Sequence, residues 1–286
     1  MRSTLVSFLN DWSPPILLRN AIFLYNRLAF LSYAEKTILQ KNIKLKNAAL
    51  RKRAFLLATG PSVRQEDLKA LAGEDCYSVS NFFLHEDINL ISPQIHFFAP
   101  YHEPLILKNY VEWLQQADMM LPNTTRICLG HSTRQIVQEF NLFPDREIYY
   151  LYLANVGYRN LKAIDLTRPV LAPYTGPLMI LPVLLYMGYK EIYLIGCDHT
   201  VLRDYKKTIR HFYSQELDLR KNASDKNAWD GIIESHKQNI IVFSQYNVYK
   251  NLIDQADVKI VNLSQDSWLD LFEFIALTHV IGSGPK

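Results

Sequence analysis

R-A-F-L-L-A-T-G-P-S, Arg53–Ser62, is the stretch whose reading decides the fold. It is a short apolar strand that breaks on Gly60-Pro61 and opens a helix at Ser62. A second stretch, L-L-Y-M-G-Y-K-E-I-Y-L-I-G-C-D-H-T at Leu184–Thr200, reads as a helix end, a turn at Gly188 and a buried strand. Asp198-His199-Thr200 then falls at that strand's carboxyl tip. In open parallel sheets ligands bind outside such tips, where backbone amides and helix N-termini face outward. Two tips carrying small and polar residues predict a nucleotide-type ligand in the crevice between them.

Working outward, strands are predicted at 54–58, 76–80, 94–98, 126–129, 148–153, 169–172, 191–196 and 258–262. Helices fit 62–72, 104–117, 132–140, 177–187, 232–256 and 266–277. Strand–helix alternation of this kind implies an α/β fold with a doubly wound, Rossmann-like parallel sheet. Residues 1–52 read as a helical appendage, with Ser13 capping a helix before Pro14. Residues 53–286 form the Rossmann-like domain. Residues 201–231 break the rhythm: they are polar, hold Lys206, Lys207, Arg210, Arg220 and Lys221, and have no strong period. An insertion of that kind reads as a lid or substrate loop.

With 286 residues and 49% hydrophobic composition, the chain can bury a full core. A formal charge of +3 is too small to argue for nucleic acid. Cys76, Cys128 and Cys197 lie in or beside apolar runs without paired metal spacing, as in a reduced, cytosolic protein with buried thiols.

The N-terminus lacks a cleavable signal pattern: Asp11, Trp12 and two prolines precede the apolar run, and no small-residue cleavage site follows. Ile16–Tyr33 is apolar but interrupted by Arg19, Asn20, Asn26 and Arg27, short of the roughly 18 uninterrupted apolar residues a spanning helix requires. At about 100° per residue these four share one helical arc with Phe23 and Phe30. Lys36, Lys41, Lys44, Lys46, Arg51, Lys52 and Arg53 follow with no acid among them. An apolar helix followed by a basic one suits the inner surface of an anionic membrane. A helical pair packed on the domain with a solvated basic face is the alternative.

The chemistry-bearing residues sit at the predicted tips. Gly60-Pro61-Ser62 allows close backbone approach and leaves free amides at the following helix. It lacks both the P-loop lysine and the dinucleotide spacing. Asn81 ends the second strand and either meets a base or ribose or stabilises a turn. Tyr174-Thr175-Gly176-Pro177 repeats the first device, with Thr175 as helix cap, ligand contact or both. Asp198-His199 is a catalytic pair, or Asp198 caps a turn. His236, at the start of a long helix, is a general base or a surface histidine beside Glu234. No D-x-D pair occurs, and no His/Cys/Glu set has zinc spacing.

Taken together these blocks resemble the bacterial sialyltransferases of glycosyltransferase family 42 and the motility-accessory-factor-like proteins around them. G-P-S after an apolar strand, with Asn81 nineteen positions beyond Ser62, resembles the family's donor-site pattern. M-G-Y-K-E-I-Y-L-I-G-C-D, preceded by T-G-P-L-M, is the block most similar to it. S-H-K-Q-N places His236 where the family carries its catalytic histidine, and N-L-S-Q-D-S-W resembles its closing segment. The resemblance spans about residues 54–274. Departures are visible: Thr59 and Ala99 replace donor-site asparagines, and Thr200 stands where the family has a phosphate-binding tyrosine. Tyr205 lies within one residue of a second such tyrosine, and Tyr213 in H-F-Y is a further candidate.

The resemblance implies a variant GT-A-type fold and an inverting transferase that uses a CMP-activated acidic sugar: sialic acid, another nonulosonic acid, or Kdo. No metal and no other cofactor is implied. Thr59, Gly60, Pro61, Ser62, Asn81, Tyr174, Thr175, Gly176 and Asp198 are expected at the donor, and His236, Tyr205, Tyr213 and His199 at the chemistry. A bacterial surface glycan or glycolipid is the expected acceptor, such as a lipopolysaccharide or capsule component. The expected location is the cytoplasmic face of the inner membrane, with no nucleic-acid partner and room for a homo-oligomer. A pterin pyrophosphokinase-like enzyme and a non-catalytic nucleotide-binding assembly factor stay open as alternatives.

Overall fold

Arg53–Leu57 (β1) forms the centre of an eight-stranded sheet because its side chains alternate between two apolar layers, as a strand buried on both faces requires. Ala54 and Leu56 face one layer, Phe55 and Leu57 the other. The computed structural model describes residues 14–154, 163–204, 211–221, 231–254 and 257–281. Its further strands are Cys76–Val79 (β2), Ile95–Phe98 (β3), Arg126–Gly130 (β4), Ile148–Leu151 (β5), Leu153–Ala154 (β6), Val170–Leu171 (β7), Glu191–Ile195 (β8), Lys259–Asn262 (β9) and Glu273–Phe274 (β10). The main sheet runs β10-β9-β8-β1-β2-β3-β4-β5 with every pair parallel, and β6 and β7 form a separate parallel pair.

The order reverses between β1 and β8. Leu57 lies opposite Ile195 across that junction and opposite Ser78 on the other side. This is the topological switch point of an open α/β sheet, the place where connections diverge and leave a crevice.

Helices cover both faces. They are Pro15–Ser32 (α1), Thr37–Gln40 (α2), Ile88–Ile91 (α3), Leu107–Met120 (α4), Arg134–Glu139 (α5), Pro177–Met187 (α6), Ile232–Ile253 (α7) and Leu277–Ile281 (α8). α6 takes the bounds its sequence predicts, from Pro177 in the first turn to Gly188, whose φ of +92° ends the helix in the left-handed region. Nearly every α6 side chain is buried, between the sheet and α7. α4 covers the other face through Trp113, Leu114 and Ala117.

Two predicted helices differ. Residues 62–72 form 3₁₀ turns at Pro61–Gln65 and Leu68–Leu71, parted by the extended residues Glu66 and Asp67. The Asp67 carboxylate accepts the Lys69 amide and starts the second turn. Residues 266–277 are not a helix but a turn, β10 and the start of α8. Here the Trp268 amide goes to the Asp198 carbonyl, the Leu269 amide to Ser267 Oγ, and the Ile275 amide to the Asn262 carbonyl. Amides bound to the neighbouring strand tips are lost to an i→i−4 ladder.

The amino-terminal segment divides at residue 33. Ser13 lies outside the described residues, and α1 opens at Pro15 with Pro14 before it. Residues 37–45 run beside edge strand β5: Lys41 Nζ donates to the Ile148 carbonyl, and Asn42 Nδ2 to those of Tyr150 and Leu166. Leu39, Asn42 and Leu45 are buried, and the edge is thereby covered. Residues 37–45 are helical, and four cations of the basic run form ion pairs: Lys41 and Lys44 with Glu147, Lys52 with Glu191, and Arg53 with Glu74. In α1, Ile16, Leu17, Phe23, Leu24, Tyr25, Leu28 and Leu31 are all at least half exposed, and its end packs through Phe30 against Tyr152. Among the described residues no helix is long and apolar enough to cross a membrane.

Candidate active site

The carboxyl ends of β1 and β8 approach so closely that only glycine fits at two positions. Gly60 donates its amide to the Gly196 carbonyl at 2.9 Å, and a Cβ on Gly60 would stand 2.3 Å from Asp198 Oδ2. Gly196 has a φ of +71°, and a Cβ there would stand 2.5 Å from the Ala58 carbonyl oxygen. Asp198 locks the junction. Its Oδ2 accepts the Ser62 amide at 2.9 Å, and its Oδ1 accepts the Ser62 hydroxyl. Burial pushes the Asp198 carboxyl up, against the pull of the Ser62 bonds. Thus the amides after Gly60, expected free for a ligand, are consumed internally: that of Ser62 by Asp198 and that of Val63 by the Gly60 carbonyl.

A cavity of about 380 Å³ opens above this junction. That volume suits a small-molecule site, which typically occupies about 300–1,000 Å³. Ala58, Thr59, Gly60 and Pro61 form one wall and Thr175, Gly176 and Pro177 another. Gly176 sits against Val79, where a Cβ would stand 2.8 Å from Cγ2, so the N-terminus of α6 reaches the β2 tip. Among the described residues, no acceptor is bound to the amides of Thr175 and Gly176. They and the helix dipole present positive partial charge to the cavity.

Asp198, His199, Thr200 and Asp204 close the β8 side. His199 has a φ of +52° and pairs through Nε2 with the Tyr246 hydroxyl at 2.9 Å. Burial pushes its imidazole down to about 4, so it is neutral at pH 7. Thr200 Oγ1 donates to Asp204 Oδ2 at 2.6 Å, and Arg203 pairs with the same carboxylate.

From the insertion, residues 211–221 lie across the cavity as a fastened strap. Its anchors are Phe212 amide to Thr59 carbonyl, Arg64 Nε to Phe212 carbonyl, Ile106 amide to Lys221 carbonyl and Asn109 Nδ2 to Leu219 carbonyl. The strap brings in His211, 3.3 Å from Thr59 Oγ1, and Arg220. Arg220 grips Asp218 through Nε at 2.9 Å and Nη2 at 2.7 Å, and stacks 4.5 Å from the Trp113 ring centre. Burial alone would raise the Asp218 carboxyl, yet Arg220 holds it below the usual carboxylate range. Arg220 is the only lysine or arginine among the described residues lining the cavity.

Of the residues picked from sequence, Thr59, Gly60, Pro61, Thr175, Gly176, Asp198 and His199 line the cavity. Ser62 lies behind Asp198. Asn81 is buried under the β2 tip, its Oδ1 accepting from Trp113 Nε1; Val79 and Ser80 line the cavity in its place. Tyr174 is half exposed, its amide held by Gln245. Tyr213 stacks behind His211 at 4.9 Å, and burial pushes its hydroxyl up to about 12. His236 is exposed on the first turn of α7, its Nδ1 2.8 Å from the Ile232 carbonyl and one turn before the cavity-lining Asn239. Tyr205 lies outside the described residues. Sequence reasoning missed Ser80, His211, Arg220, Asn239 and Val242. The last two follow His236 by three and six positions, a helical phase that places them on neighbouring faces. Among the described residues no three His, Cys, Asp or Glu side chains form a group able to hold a metal ion.

No protein-family model and no curated protein matches the chain. Solved structures do align with it. The sialyltransferase CstII from Campylobacter jejuni, in complex with CMP-3FNeuAc, is 17% identical over 79% of this chain and 86% of that one, with a TM-score of 0.44. The monofunctional α-2,3-sialyltransferase Cst-I from Campylobacter jejuni is 18% identical over 78% and 80%, with a TM-score of 0.46. Prephenate dehydrogenase from A. aeolicus is 10% identical over 73% and 88%, with a TM-score of 0.20.

The buried histidines give the fold a pH dependence. His199 is held near 4 and His96, under the cavity, near 3, both chiefly by burial, and His85 and His131 are lowered in the same sense. A depressed folded-state value contributes stability that is complete above about 6.5 and is lost as pH falls toward the folded values. The urea midpoint should therefore fall steadily between pH 7 and 4.5, and His199→Gln should make the decline shallower. An unchanged midpoint over that range contradicts the assignment.

Proposed function

We propose that the chain is an inverting glycosyltransferase that takes an acidic sugar from a CMP-activated donor. The observation that carries this reading is Arg220. It is a half-buried cation, fixed by Asp218 and Trp113, that lines the same cavity as the N-terminus of α6. A donor with both a phosphodiester and a sugar carboxylate presents two anions, and the cavity offers a partner for each: the α6 terminus for phosphate, the guanidinium for carboxylate. The blocks around Gly60, Gly176, Asp198 and His236 that resemble family 42 sialyltransferases support the same reading.

In this mechanism the bond from the anomeric carbon to the phosphate oxygen breaks through an oxocarbenium-like transition state, and CMP leaves with the electron pair. The Thr175 and Gly176 amides meet the charge that develops on phosphate. The acceptor hydroxyl attacks from the opposite face and loses its proton to His236. That base role falls to His236 rather than His199, because His199 is held at low basicity and is engaged by Tyr246. The exposed apolar α1 supports a location on the cytoplasmic face of the inner membrane, with a glycolipid or surface-glycan precursor as acceptor.

Three experiments test the proposal. In calorimetry against CMP, UMP, GDP and ATP, CMP should bind most tightly. Arg220→Ala should weaken a CMP-acidic sugar at least about tenfold while changing CMP itself little; preference for a purine nucleotide defeats the reading. His236→Ala should cut transfer by about 10²-fold or more with CMP affinity retained. An active His236→Ala beside an inactive His199→Ala reassigns the base. Finally, the full chain should pellet with phosphatidylglycerol vesicles. A chain lacking residues 1–32 should stay in solution, still folded because Leu39, Asn42 and Leu45 are kept. Equal partitioning of the two contradicts the membrane role of α1.

A further inference from the structure

A histidine outside the resemblance blocks is hydrogen-bonded to a residue that lines the cavity. His96 lies in β3, directly opposite Ser78 of β2, and is wholly buried. Its Nδ1 stands 2.7 Å from Ser78 Oγ, and its Nε2 stands 2.8 Å from the Ser80 carbonyl oxygen. A carbonyl only accepts, so the proton is on Nε2, and Nδ1 accepts the Ser78 hydroxyl. Burial holds the ring neutral, with its pKa near 3. Phe98 at 4.6 Å and Phe83 at 6.0 Å, ring centre to ring centre, fix its plane.

The partner of that Nε2–H is unusual. Ser80 has a φ of +59°, in the left-handed region that a non-glycine residue enters only when its surroundings hold it there. Ser80 is also where β2 ends and the chain turns into a 3₁₀ segment, Ser80–Leu84, and it lines the cavity. Asn81, next in the chain, is tied to Trp113, which supports Arg220.

We propose that His96 is a positioning residue of the cavity: its Nε2–H holds the Ser80 carbonyl, and this bond keeps Ser80 in the left-handed conformation that shapes the β2 side of the ligand site. The ligand is the cytidine nucleotide of the proposed function, on which this inference rests. His96 touches no ligand; it acts through the backbone of Ser80.

The test separates a backbone role from general packing. CMP affinity is measured by calorimetry for the full chain and for His96→Leu, His96→Gln, Ser80→Gly and the double variant His96→Leu/Ser80→Gly. His96→Leu should weaken CMP at least about tenfold. His96→Gln, whose amide keeps a donor toward the carbonyl, should weaken it less. Glycine adopts positive φ unaided, so Ser80→Gly should restore affinity in the His96→Leu background. Wild-type affinity in His96→Leu, or no recovery in the double variant, overturns the proposal. A urea cycle without ligand reads the same coupling. Ser80→Gly should raise the midpoint more in His96→Leu than in wild type, and equal shifts overturn the proposal even if CMP binds none of these proteins and the nucleotide reading fails. Should His96→Leu not fold, ¹⁵N imidazole spectra of the wild type decide. An Nε2-protonated ring that does not titrate between pH 5 and 8 supports the proposal, and a titrating or Nδ1-protonated ring overturns it.

Discussion

Asp198 holding Ser62 at the β1–β8 junction is the interaction on which the rest of the site depends. The sheet changes direction here, so no connecting helix covers the gap, and the two strand tips must be sealed by their own side chains. Gly60 and Gly196 allow the close approach, and the Asp198 carboxylate ties the turn after β1 to the end of β8. The same residue's carbonyl accepts the Trp268 amide, which draws the segment after β9 onto the junction. One residue thus joins three stretches of chain and forms the floor of the cavity. Its burial makes the charge costly, and the paired Ser62 donors offset that cost.

Above that floor the polar groups are distributed unevenly. The α6 side supplies backbone amides and a helix dipole, whereas the strap supplies a guanidinium whose orientation is fixed before any ligand arrives. A site whose donors are already oriented loses little freedom when an anion binds. The α7 side differs: Asn239 and Val242 line the cavity while His236, one turn earlier, faces solvent. A donor held deep and an acceptor approaching from the α7 side is the arrangement these positions favour.

Much of this was legible in the sequence, for identifiable reasons. β1 and β8 are continuous apolar runs ended by glycine, and α6 is framed by Pro177 and Gly188, so their bounds and the crevice between them followed from local chemistry. Asp198 was legible as a position but not as a lock, because its partner Ser62 is 136 residues away. Arg220 was hidden for a similar reason. In the sequence it is one cation among several in a polar insertion, and only the contacts with Asp218, Trp113 and Ile106 show that its segment is fastened. The helix expected at 266–277 failed because nothing in its pattern reveals that Trp268 and Leu269 surrender their amides to other acceptors. The partners of the basic run after α1 were hidden as well, since the acids that pair with Lys41, Lys44 and Lys52 lie at Glu147 and Glu191. His96 sits in an apolar strand and gives no signal at all until Ser80 is seen at positive φ.

The central claim is that a cytidine nucleotide occupies the β1–β8 crevice. Its most direct test is a methyl NMR titration of the full chain with CMP, using valine, threonine and alanine labels. The account predicts that Val79, Thr59, Thr175 and Val242 shift together and saturably, while Val111 and Val137 under α4 and α5 stay still. Shifts confined to other valines, or no saturable shift at Val79 and Val242, would contradict it.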